Sequence, residues 1–260
     1  MADARRGDQP ADVELSGHGP IAEIRLNRRA ISTAMAEQLT TVAAAVDATR
    51  ARAVVLTSSA PDAFCVGADL KERHTLTDAE FMTQRLVFRR AFTAIREMPV
   101  PSVAALHGYA LGGGFELALN CDLIVADETA VVGLPEVTVG IVPGGGGTQL
   151  LPRRAGYGIA ADLILTGRHV PAAEALRLGL VDRLVPAGDA RTAATELAER
   201  IAANSPVAVA NARNALRRGL DVDLPAGLDI EDSAWRATVF SEDRREGVRA
   251  FVAKRKPHWR

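Results

Sequence analysis

The chain has 260 residues, long enough to bury a sizeable core as one large domain or as a main domain with a smaller appendage. Its 31 basic and 32 acidic residues leave a formal net charge of -1, so the overall balance calls for neither a polyanionic partner nor an anionic membrane. Residues 1–10 are polar, and no run approaches the roughly 20 apolar residues of a membrane span. The two cysteines are too few for a disulfide framework, so we expect a cytoplasmic protein without a membrane partner.

Apolar segments of two kinds alternate in the N-terminal part of the chain. Apolar residues recur at helical spacing in two stretches, which contain Met35, Leu39, Val42 and Val46 and then Phe81, Phe88, Phe92 and Ile95. Short runs of Val, Ala and Leu that pass into turn-forming residues predict buried strands in AVVLTSS (53–59), SVAALHG (102–108) and DLIVADE (122–128). This alternation predicts an α/β fold with a core sheet.

Beyond residue 186 the chain contains only helical patterns, which begin with DARTAATELAERIAAN. Just upstream, Pro171 stands where a proline opens the first turn of a helix, and Gly179 stands where a glycine ends it. We therefore divide the chain into an α/β domain, residues 1–200, and a helical domain, residues 201–260.

Three consecutive glycines, Gly112, Gly113 and Gly114, separate a predicted strand from FELALN, which suits a short buried helix. The first backbone N–H groups of a helix lack partners inside it, and glycine lets a ligand oxygen come close to them. The junction could therefore hold an anion, or the glycines could only permit a tight turn and close packing.

The patterns of several common enzyme classes are missing from the sequence. It has no G-x-x-x-x-G-K-[ST] and no G-x-G-x-x-G in a βαβ context, which disfavours nucleotide hydrolysis and dinucleotide redox chemistry. It has neither a G-x-S-x-G nucleophile elbow nor an H-E-x-x-H zinc motif, and its five histidines are scattered. His107, next to the glycine turn, fits a packed or hydrogen-bonded residue better than a catalyst.

Two glutamates lie among apolar residues. Glu116 falls in the first turn of the short helix, and Glu136 stands in VVGLPEVTVGIVPGGGG after a proline that fixes a turn. A buried glutamate is costly unless it is paired or used, although either residue could instead cap a backbone N–H in a structural role. The pair is better evidence for a functional site than either member alone.

Three long segments resemble, in order and spacing, the signature segments of the enoyl-CoA hydratase/isomerase (crotonase) superfamily. They are AFCVGADLKER (63–73), HGYALGGGFELALNCDLIVAD (107–127) and GLPEVTVGIVPGGGGTQLLPR (133–153). The likeness continues into the C-terminal SEDRREGVRAFVAKRKP and spans nearly the whole chain. GADLKER with GIVPGGGGTQLLPR looks closest to the branch of methylglutaconyl-CoA hydratases, which includes a form that binds AU-rich RNA.

The resemblance implies a crotonase-like α/β fold, in which ββα repeats wind into a spiral, with a C-terminal α-helical domain that packs trimers, usually paired into hexamers. It implies an enoyl-CoA hydratase, which adds water reversibly to a 2-trans-enoyl-CoA thioester and gives a 3-hydroxyacyl-CoA. Neither a metal nor another cofactor is expected, since coenzyme A (CoA) arrives as part of the acyl-CoA substrate.

The resemblance also assigns roles to five residues near the predicted reacting carbons. Ala68 and Gly113 match the two positions whose backbone N–H groups form the family's oxyanion hole for the thioester carbonyl. Glu116 and Glu136 match its two catalytic glutamates, and we assign Glu136 as the proton donor to carbon 2. Gly144 matches a backbone position near the catalytic water.

Four further residues match positions that bind CoA in the family. Val66 and Leu70 match positions where the main chain contacts the adenine. Phe251 and Lys254 match C-terminal residues that contribute to the CoA site of a neighbouring subunit.

The sequence departs from the family pattern near its N-terminus. NRRAISTAM (27–35) lacks the proline and the second asparagine of the family's NRPxxxNAL, and Asp62 stands where some relatives carry a basic residue. These changes put the start of the first helix and its CoA phosphate contacts in doubt. Arg28 or Arg29 could still meet a phosphate, or could simply be solvated.

Several other functions stay open. A Δ3,Δ2-enoyl-CoA isomerase needs one carboxylate, usually at the position of Glu136, so the presence of Glu116 favours a hydratase. RNA binding is suggested by the branch and by arginines in QRLVFRRAFTAIRE (84–97), but these arginines alternate with apolar residues, and we do not expect nucleic acid as a partner. The two glutamates also argue against a catalytically lapsed paralogue. Residues 71–95 are expected to shape the acyl pocket, but their sequence is too mixed to indicate a long or a short acyl chain.

Overall fold

Two sheets organise the chain in a computed structural model that describes residues 11–17 and 19–259. Its strands are β1 (Val13–Ser16), β2 (Ile21–Leu26), β3 (Ala53–Ser58), β4 (Ala63–Cys65), β5 (Ser102–Leu106), β6 (Tyr109–Leu111), β7 (Leu123–Asp127), β8 (Val131–Gly133), β9 (Val170–Pro171) and β10 (Arg183–Val185). The six-stranded sheet has the order β1-β2-β3-β5-β7-β10, and the four-stranded sheet has the order β4-β6-β8-β9. Residues 1–10, whose polar character contributes to the expectation of a cytoplasmic protein, and His18 lie outside the described residues.

Helices connect the strands and follow them. They are α1 (Thr33–Ala45), α2 (Leu70–His74), α3 (Asp78–Arg96), α4 (Gly113–Leu119), α5 (Gly147–Ala155), α6 (Tyr157–Thr166), α7 (Ala172–Arg177), α8 (Ala190–Ala202), α9 (Pro206–Gly219), α10 (Leu224–Val239) and α11 (Glu242–Val252). The three predicted strands are β3, β5 and β7, and the two predicted helical stretches are α1 and α3, so these predictions are confirmed. Within the described part of the chain, only helices follow β10, as the sequence predicts.

A repeated ββα unit generates both sheets. In each unit the first strand joins the larger sheet and the second, after a short corner, joins the smaller one; the pairs are β3 with β4, β5 with β6, and β7 with β8. Neighbouring first strands are parallel, and so are neighbouring second strands. This is the spiral of ββα repeats that the resemblance implies.

Both faces of the larger sheet are buried, because side chains along its strands point alternately into two apolar clusters. In β3, Val54 and Leu56 belong to the main core, whereas Ala53 and Val55 face the second cluster with residues of α8. Side chains of a strand point to opposite faces in turn, so a strand covered on both sides is apolar throughout. This burial explains why the predicted strands are continuous apolar runs.

The first helix begins normally despite the altered NRRAISTAM segment. Ser32 is its N-cap, and the Ser32 hydroxyl accepts a hydrogen bond from the backbone N–H of Met35 at 3.1 Å. Serine thus supplies the cap at the helix start that the sequence left in doubt. Pro171 differs slightly from its predicted place, since it pairs with Val131 in β9 and precedes α7 as its N-cap.

The C-terminal helices α9 and α10 pack on each other, and in the described chain neither contains a fully buried residue. Large exposed apolar side chains of this region include Leu216, Leu220, Leu224, Trp235 and Phe240. The trimer or hexamer that the resemblance implies stays a prediction. So does the division of the chain at residue 200, which falls in the last turn of α8. Among the described helices, none is both long and apolar enough to cross a membrane.

Packing and backbone geometry require two of the three glycines between β6 and α4. Gly112 has a φ of 52° and a ψ of -128°, a conformation that residues with a side chain rarely adopt. A Cβ on Gly114 would lie 1.9 Å from the carbonyl oxygen of Cys65 in β4. A Cβ on Gly113 would instead find its nearest neighbour, Cζ of Phe92, at 3.4 Å. The close-packing interpretation therefore holds for Gly112 and Gly114 and leaves Gly113 without a steric requirement.

We expect Gly114→Ala to destabilise the protein strongly, because the new Cβ must displace the backbone of β4. The free energy of unfolding should fall by about 3 kcal/mol or more. Gly113→Ala is the matched control, since it adds the same methyl group at ordinary van der Waals distance from its neighbours, the nearest at 3.4 Å, and should change stability by less than about 1 kcal/mol. Urea unfolding followed by circular dichroism measures both, and equal midpoints for the two variants would contradict the packing argument.

Candidate active site

A cavity of about 600 Å³ opens where the second strands of the repeats end. Its walls come from the segment after β4, from α2 and α3, from the start of α4, and from the 3-10 helix Glu136–Val139 with the glycines that follow it. Seven of the nine predicted site residues line this cavity: Val66, Ala68, Leu70, Gly113, Glu116, Glu136 and Gly144. The structure therefore brings together residues from three separate signature segments.

Phe251 and Lys254 do not line this cavity within the described chain. Phe251 lies in α11 with 85% of its surface exposed, and Lys254 follows the helix in the left-handed region with a φ of 50°. Their predicted role concerns a neighbouring subunit, and it stays a prediction.

Two residues that line the cavity, Ala68 and Gly113, have backbone N–H groups with no acceptor in the described structure. The segment that contains Ala68 is fixed on both sides, because Ile31 donates its N–H to the Gly67 carbonyl at 2.8 Å and accepts from Asp69 at 2.9 Å. Gly67 has a φ of 89°, and a Cβ on it would lie 3.1 Å from the nitrogen of Gly113, so the two loops are in close contact. Among the described residues, neither Ala68 nor Gly113 donates its N–H to another group. Both donors are free for a ligand oxygen.

Glu116 is almost completely buried, with 3% of its surface exposed, and the glycine-rich loop after Pro143 holds its carboxylate. Oε1 accepts hydrogen bonds from the backbone N–H groups of Gly145 at 2.6 Å and Gly147 at 2.8 Å. Burial raises the pKa of Glu116, and these N–H groups oppose that rise by stabilising the charged form. A Cβ on Gly145 or Gly147 would come within 2.9 or 3.0 Å of the carboxylate oxygens, so both positions must lack a side chain.

Asn120 ties this loop to helix α4, a role that the sequence analysis missed. Its side-chain amide donates to the carbonyl of Gly145 and to the carbonyl of Glu116, both at 2.8 Å. Asn120 lies four residues after Glu116, one turn along the same helix, and this spacing is the signal that could have identified it.

Glu136 is the first residue of its 3-10 helix, directly after Pro135, and it is half-buried. Its Oε1 lies 2.9 Å from the place that a Cβ on Gly112 would take, and its Oε2 is buried without a hydrogen-bond partner in the described structure. Burial raises the pKa of Glu136 to about 7, the nearby charge of Glu116 adds to the rise, and Arg73 opposes it. Because the two carboxylates interact, they titrate as a pair that holds a proton near neutral pH.

Two arginines of the cavity were not singled out by the sequence analysis. Arg73 lies over the rings of Phe81 and Phe88, with its guanidinium carbon 4.9 and 5.2 Å from their centres, and burial lowers its pKa. The Nε of Arg85 lies 3.3 Å from the place of a Cβ on Gly144. Both belong to residues 71–95, the segment expected to shape the acyl pocket, which does line the cavity.

The arginines near the N-terminus that could meet a phosphate are engaged in ion pairs. Arg28 pairs with Asp12 at 3.5 Å and with Asp69 at 3.7 Å. Arg29 pairs with Asp62 at 3.0 Å, where some relatives carry a basic residue instead. Each pair gives its arginine a counter-charge. Because the pairs are exposed to solvent, they contribute little to stability. His107 is hydrogen-bonded through Nε2 to the carbonyl of Ala60 at 2.7 Å, as a packed residue would be.

Comparison with known proteins agrees with this arrangement. Residues 17–260 match the family model described as enoyl-CoA hydratase/isomerase. YngF of Bacillus subtilis (strain 168) is 47% identical over 205 residues, which are 79% of this chain and 79% of that protein. The mitochondrial methylglutaconyl-CoA hydratase of Mus musculus is 41% identical over 224 residues, which are 83% of this chain and 71% of that protein.

Solved structures show the same fold. The crystal structure of an enoyl-CoA hydratase from Bacillus anthracis superposes with a TM-score of 0.92 and 39% identity, over 95% of this chain and 98% of that one. Fold and sequence together define a protein of the crotonase superfamily. Within that superfamily, the chain belongs to the enoyl-CoA hydratase/isomerase family.

We expect Glu136→Gln to stabilise the protein at alkaline pH. The fold raises the pKa of Glu136 from 4.5 to about 7, so its stabilising contribution is present below pH 4.5 and is lost as the pH rises to about 7. At pH 8 the neutral amide avoids the buried charge, which should add about 1–2 kcal/mol to the free energy of unfolding after allowance for partial exposure.

Urea unfolding at pH 8 and at pH 5 checks this expectation, because most of the gain should be lost at the lower pH. The exposed residue Glu97 provides the control, since Glu97→Gln should change stability little at either pH. A gain for Glu136→Gln that is equal at both pH values would contradict the assigned charge effect.

Proposed function

We propose that the protein is an enoyl-CoA hydratase, which adds water reversibly across carbons 2 and 3 of a 2-trans-enoyl-CoA thioester. The observation that carries this proposal is the presence of a buried carboxylate, Glu116, and a half-buried one, Glu136, in one cavity with two free backbone N–H groups. Addition of water needs both a base and an acid, and it needs donors aimed at the thioester oxygen.

The free N–H groups of Ala68 and Gly113 bind the thioester carbonyl oxygen. When water attacks carbon 3, negative charge moves onto this oxygen and gives an enolate-like transition state. Donors that are already in place stabilise that charge without reorganisation, and one such donor contributes roughly 3 kcal/mol. The Gly113 donor is fixed by the glycine turn, and the Ala68 donor by the hydrogen bonds of Ile31 to either side.

The two glutamates divide the proton transfers. Glu116 carries the stronger set of N–H donors, which favour its charged form, so it takes a proton from the attacking water. Glu136, whose pKa is raised to about 7, gives its proton to carbon 2. Hydroxide bonds to carbon 3, a proton bonds to carbon 2, and the pair ends with its proton on Glu116. Exchange with solvent then restores the starting state.

In this scheme, backbone N–H groups of this chain stabilise the negative charge, and its two glutamates transfer the protons. The proposal therefore includes no metal or redox cofactor, and CoA enters and leaves as part of the thioester. Val66, Leu70 and Gly144 remain the proposed contacts for CoA and for the catalytic water.

Two related activities would use the same cavity. A Δ3,Δ2-enoyl-CoA isomerase would need only Glu136, and the burial of a second carboxylate at Glu116 with two N–H donors supports hydration instead. A relative is named methylglutaconyl-CoA hydratase, so hydration of that branched thioester is the alternative within the same chemistry. Assays with crotonyl-CoA, 3-methylglutaconyl-CoA and a 3-enoyl-CoA separate these activities.

Glu116→Gln and Glu136→Gln should each lower the turnover of crotonyl-CoA at least about a hundredfold, since each removes one proton-transfer group. Loss of the absorbance of the enoyl thioester measures the rate. Glu97→Gln changes an exposed carboxylate in the same way and should keep the full rate. Unchanged rates in both active-site variants would refute the assignment. Isomerisation of a 3-enoyl-CoA that is lost in Glu136→Gln and kept in Glu116→Gln would favour the isomerase scheme.

The pH dependence provides a separate test. Hydration needs one proton on the carboxylate pair, so kcat/KM for crotonyl-CoA should fall above about pH 7, where Glu136 loses its proton. Dehydration of 3-hydroxybutyryl-CoA should follow the same profile, because both directions start from the singly protonated pair. A rate that rises between pH 7 and pH 9 would exclude Glu136 as the acid.

A further inference from the structure

A second cavity, of about 340 Å³, adjoins the catalytic one. Four residues line both cavities and form the wall between them: Arg85, Phe92, Gly144 and Gly145. Val66 and Leu70, the proposed contacts for the adenine of CoA, line the catalytic cavity and do not line the second one. The second cavity is therefore separate from the region where we place the adenine.

The lining of the second cavity is strongly basic. Among the described residues, its charged members are four arginines and one aspartate: Arg85, Arg89, Arg96, Arg153 and Asp221. Asp221 pairs with Arg153 at 3.3 Å, which leaves the other three arginines without a counter-charge in the lining. Within the described parts of the chain, the guanidinium groups of these three form no ion pair and donate no hydrogen bond. Three uncompensated cations in a concave site attract anions.

The three unpaired arginines lie along one face of helix α3. Arg89 follows Arg85 by four residues, about one turn, so their side chains are neighbours on the helix surface. Arg96 follows Arg89 by seven residues and lies on the same face, about 10 Å further along the helix axis. Arg85 and Arg89 can therefore hold one small anion between them, at the end of the cavity next to the catalytic site.

Arg85 carries an unsatisfied hydrogen-bond donor in the wall between the cavities. Its Nη1 is buried and has no partner among the described residues. A buried donor on a charged group is costly to leave unpaired, so this nitrogen indicates a ligand that completes it. Helix α5 begins at the same cavity, where its N-cap Gly146 has a backbone N–H without an acceptor in the described structure. The start of a helix favours an anion, as the arginines do.

A phosphate group matches these donors better than a carboxylate does. A carboxylate has one pair of oxygens, which the fork of a single guanidinium satisfies. A phosphate monoester has three terminal oxygens and a charge of about -1.5 to -2 at pH 7, so two arginines can share it. Thr93 and Gln149 also line the cavity, and their polar side chains can bind an organic group attached to the phosphate.

We propose that the second cavity binds a phosphate group, free or esterified to a small polar molecule, between Arg85 and Arg89, and that its occupancy slows hydration. The binding does not depend on the hydratase function, whereas the effect on the rate rests on it.

Arg85 connects the second cavity to the catalytic base. Burial raises the pKa of Glu116, and the positive charge of Arg85 opposes that rise. A bound phosphate neutralises the charge of Arg85, so a larger fraction of Glu116 holds a proton and cannot accept one from water. The expected effect is a lower turnover without displacement of the thioester.

Calorimetry with inorganic phosphate at constant ionic strength measures the binding directly. Arg85→Met and Arg89→Met each remove one cation of the pair, so each should raise the Kd at least about tenfold. Arg90→Met is the matched control, because Arg90 is an exposed residue of α3 that lines neither cavity, and its Kd should change by less than about twofold. No saturable binding to the wild-type protein, or equal Kd values in all four proteins, would overturn the proposal.

Further titrations of the wild-type protein identify the ligand. Glycerol 3-phosphate and inorganic phosphate represent the ester and the free ion, and tighter binding of one of them that weakens in Arg89→Met assigns the source. Acetate should bind at least about tenfold more weakly than phosphate, and equal affinities would overturn the choice of a phosphate group. Phosphate should still bind when unreactive butyryl-CoA fills the catalytic cavity. Loss of phosphate binding there would assign the arginines to the phosphates of CoA and overturn a separate site.

Steady-state hydration of crotonyl-CoA tests the effect on the rate. Saturating phosphate should lower kcat of the wild-type protein at least about twofold and leave KM nearly unchanged, with sodium chloride at equal ionic strength as the control for screening. Arg89→Met should keep its full rate at the same phosphate concentration. A rise in KM at constant kcat would refute the effect through Glu116.

The two measurements separate this inference from the hydratase function. Phosphate binding that depends on Arg85 and Arg89 supports the site even if no thioester is hydrated, an outcome that would refute the hydratase function alone. Active hydration by a protein that does not bind phosphate would refute the inference alone.

Discussion

The burial of the Glu116 carboxylate constrains the rest of the site. A buried carboxylate is stable only if its oxygens are hydrogen-bonded, and here the N–H groups of Gly145 and Gly147 supply those bonds. The loop can come this close only because it carries no side chains, and Asn120 fixes it to the helix that bears Glu116. One requirement thus explains the second run of glycines, the amide of Asn120 and the place of the loop beside the cavity.

The charge of Glu116 also determines the chemistry of its neighbours. It contributes to the raised pKa of Glu136, which keeps a proton available near neutral pH. Two arginines oppose this repulsion. The charge of Arg73 lowers the pKa of Glu136, and the charge of Arg85 lowers the pKa of Glu116. The site therefore depends on a balance in which removal of any one charge changes the protonation of the others.

The sequence predicts the elements and the main site residues for identifiable reasons. Buried strands and amphipathic helices have strong apolar patterns, and the signature segments locate Ala68, Gly113, Glu116 and Glu136 through resemblance. The charged residues of α3 were harder to predict as site residues. Helical spacing shows which residues share a face of the helix, but it does not show that Arg85 lines a cavity. Likewise, only the backbone conformation of Gly112 and the approach of Cys65 to Gly114 distinguish the two required glycines from Gly113. The roles of Phe251 and Lys254 depend on a second subunit, which one chain cannot supply.

Each ββα unit turns a corner between the two sheets before its helical segment begins. The carboxylates and their loop come from the units that start at β5 and β7, whereas helices α2 and α3, with both arginines of the cavity, lie in the unit that starts at β3. The two carboxylates and the helices that form much of the cavity wall are thus encoded in separate stretches of the chain. Substitutions within residues 70–96 can therefore change the shape and charge of that wall and leave the sequence around both glutamates unchanged.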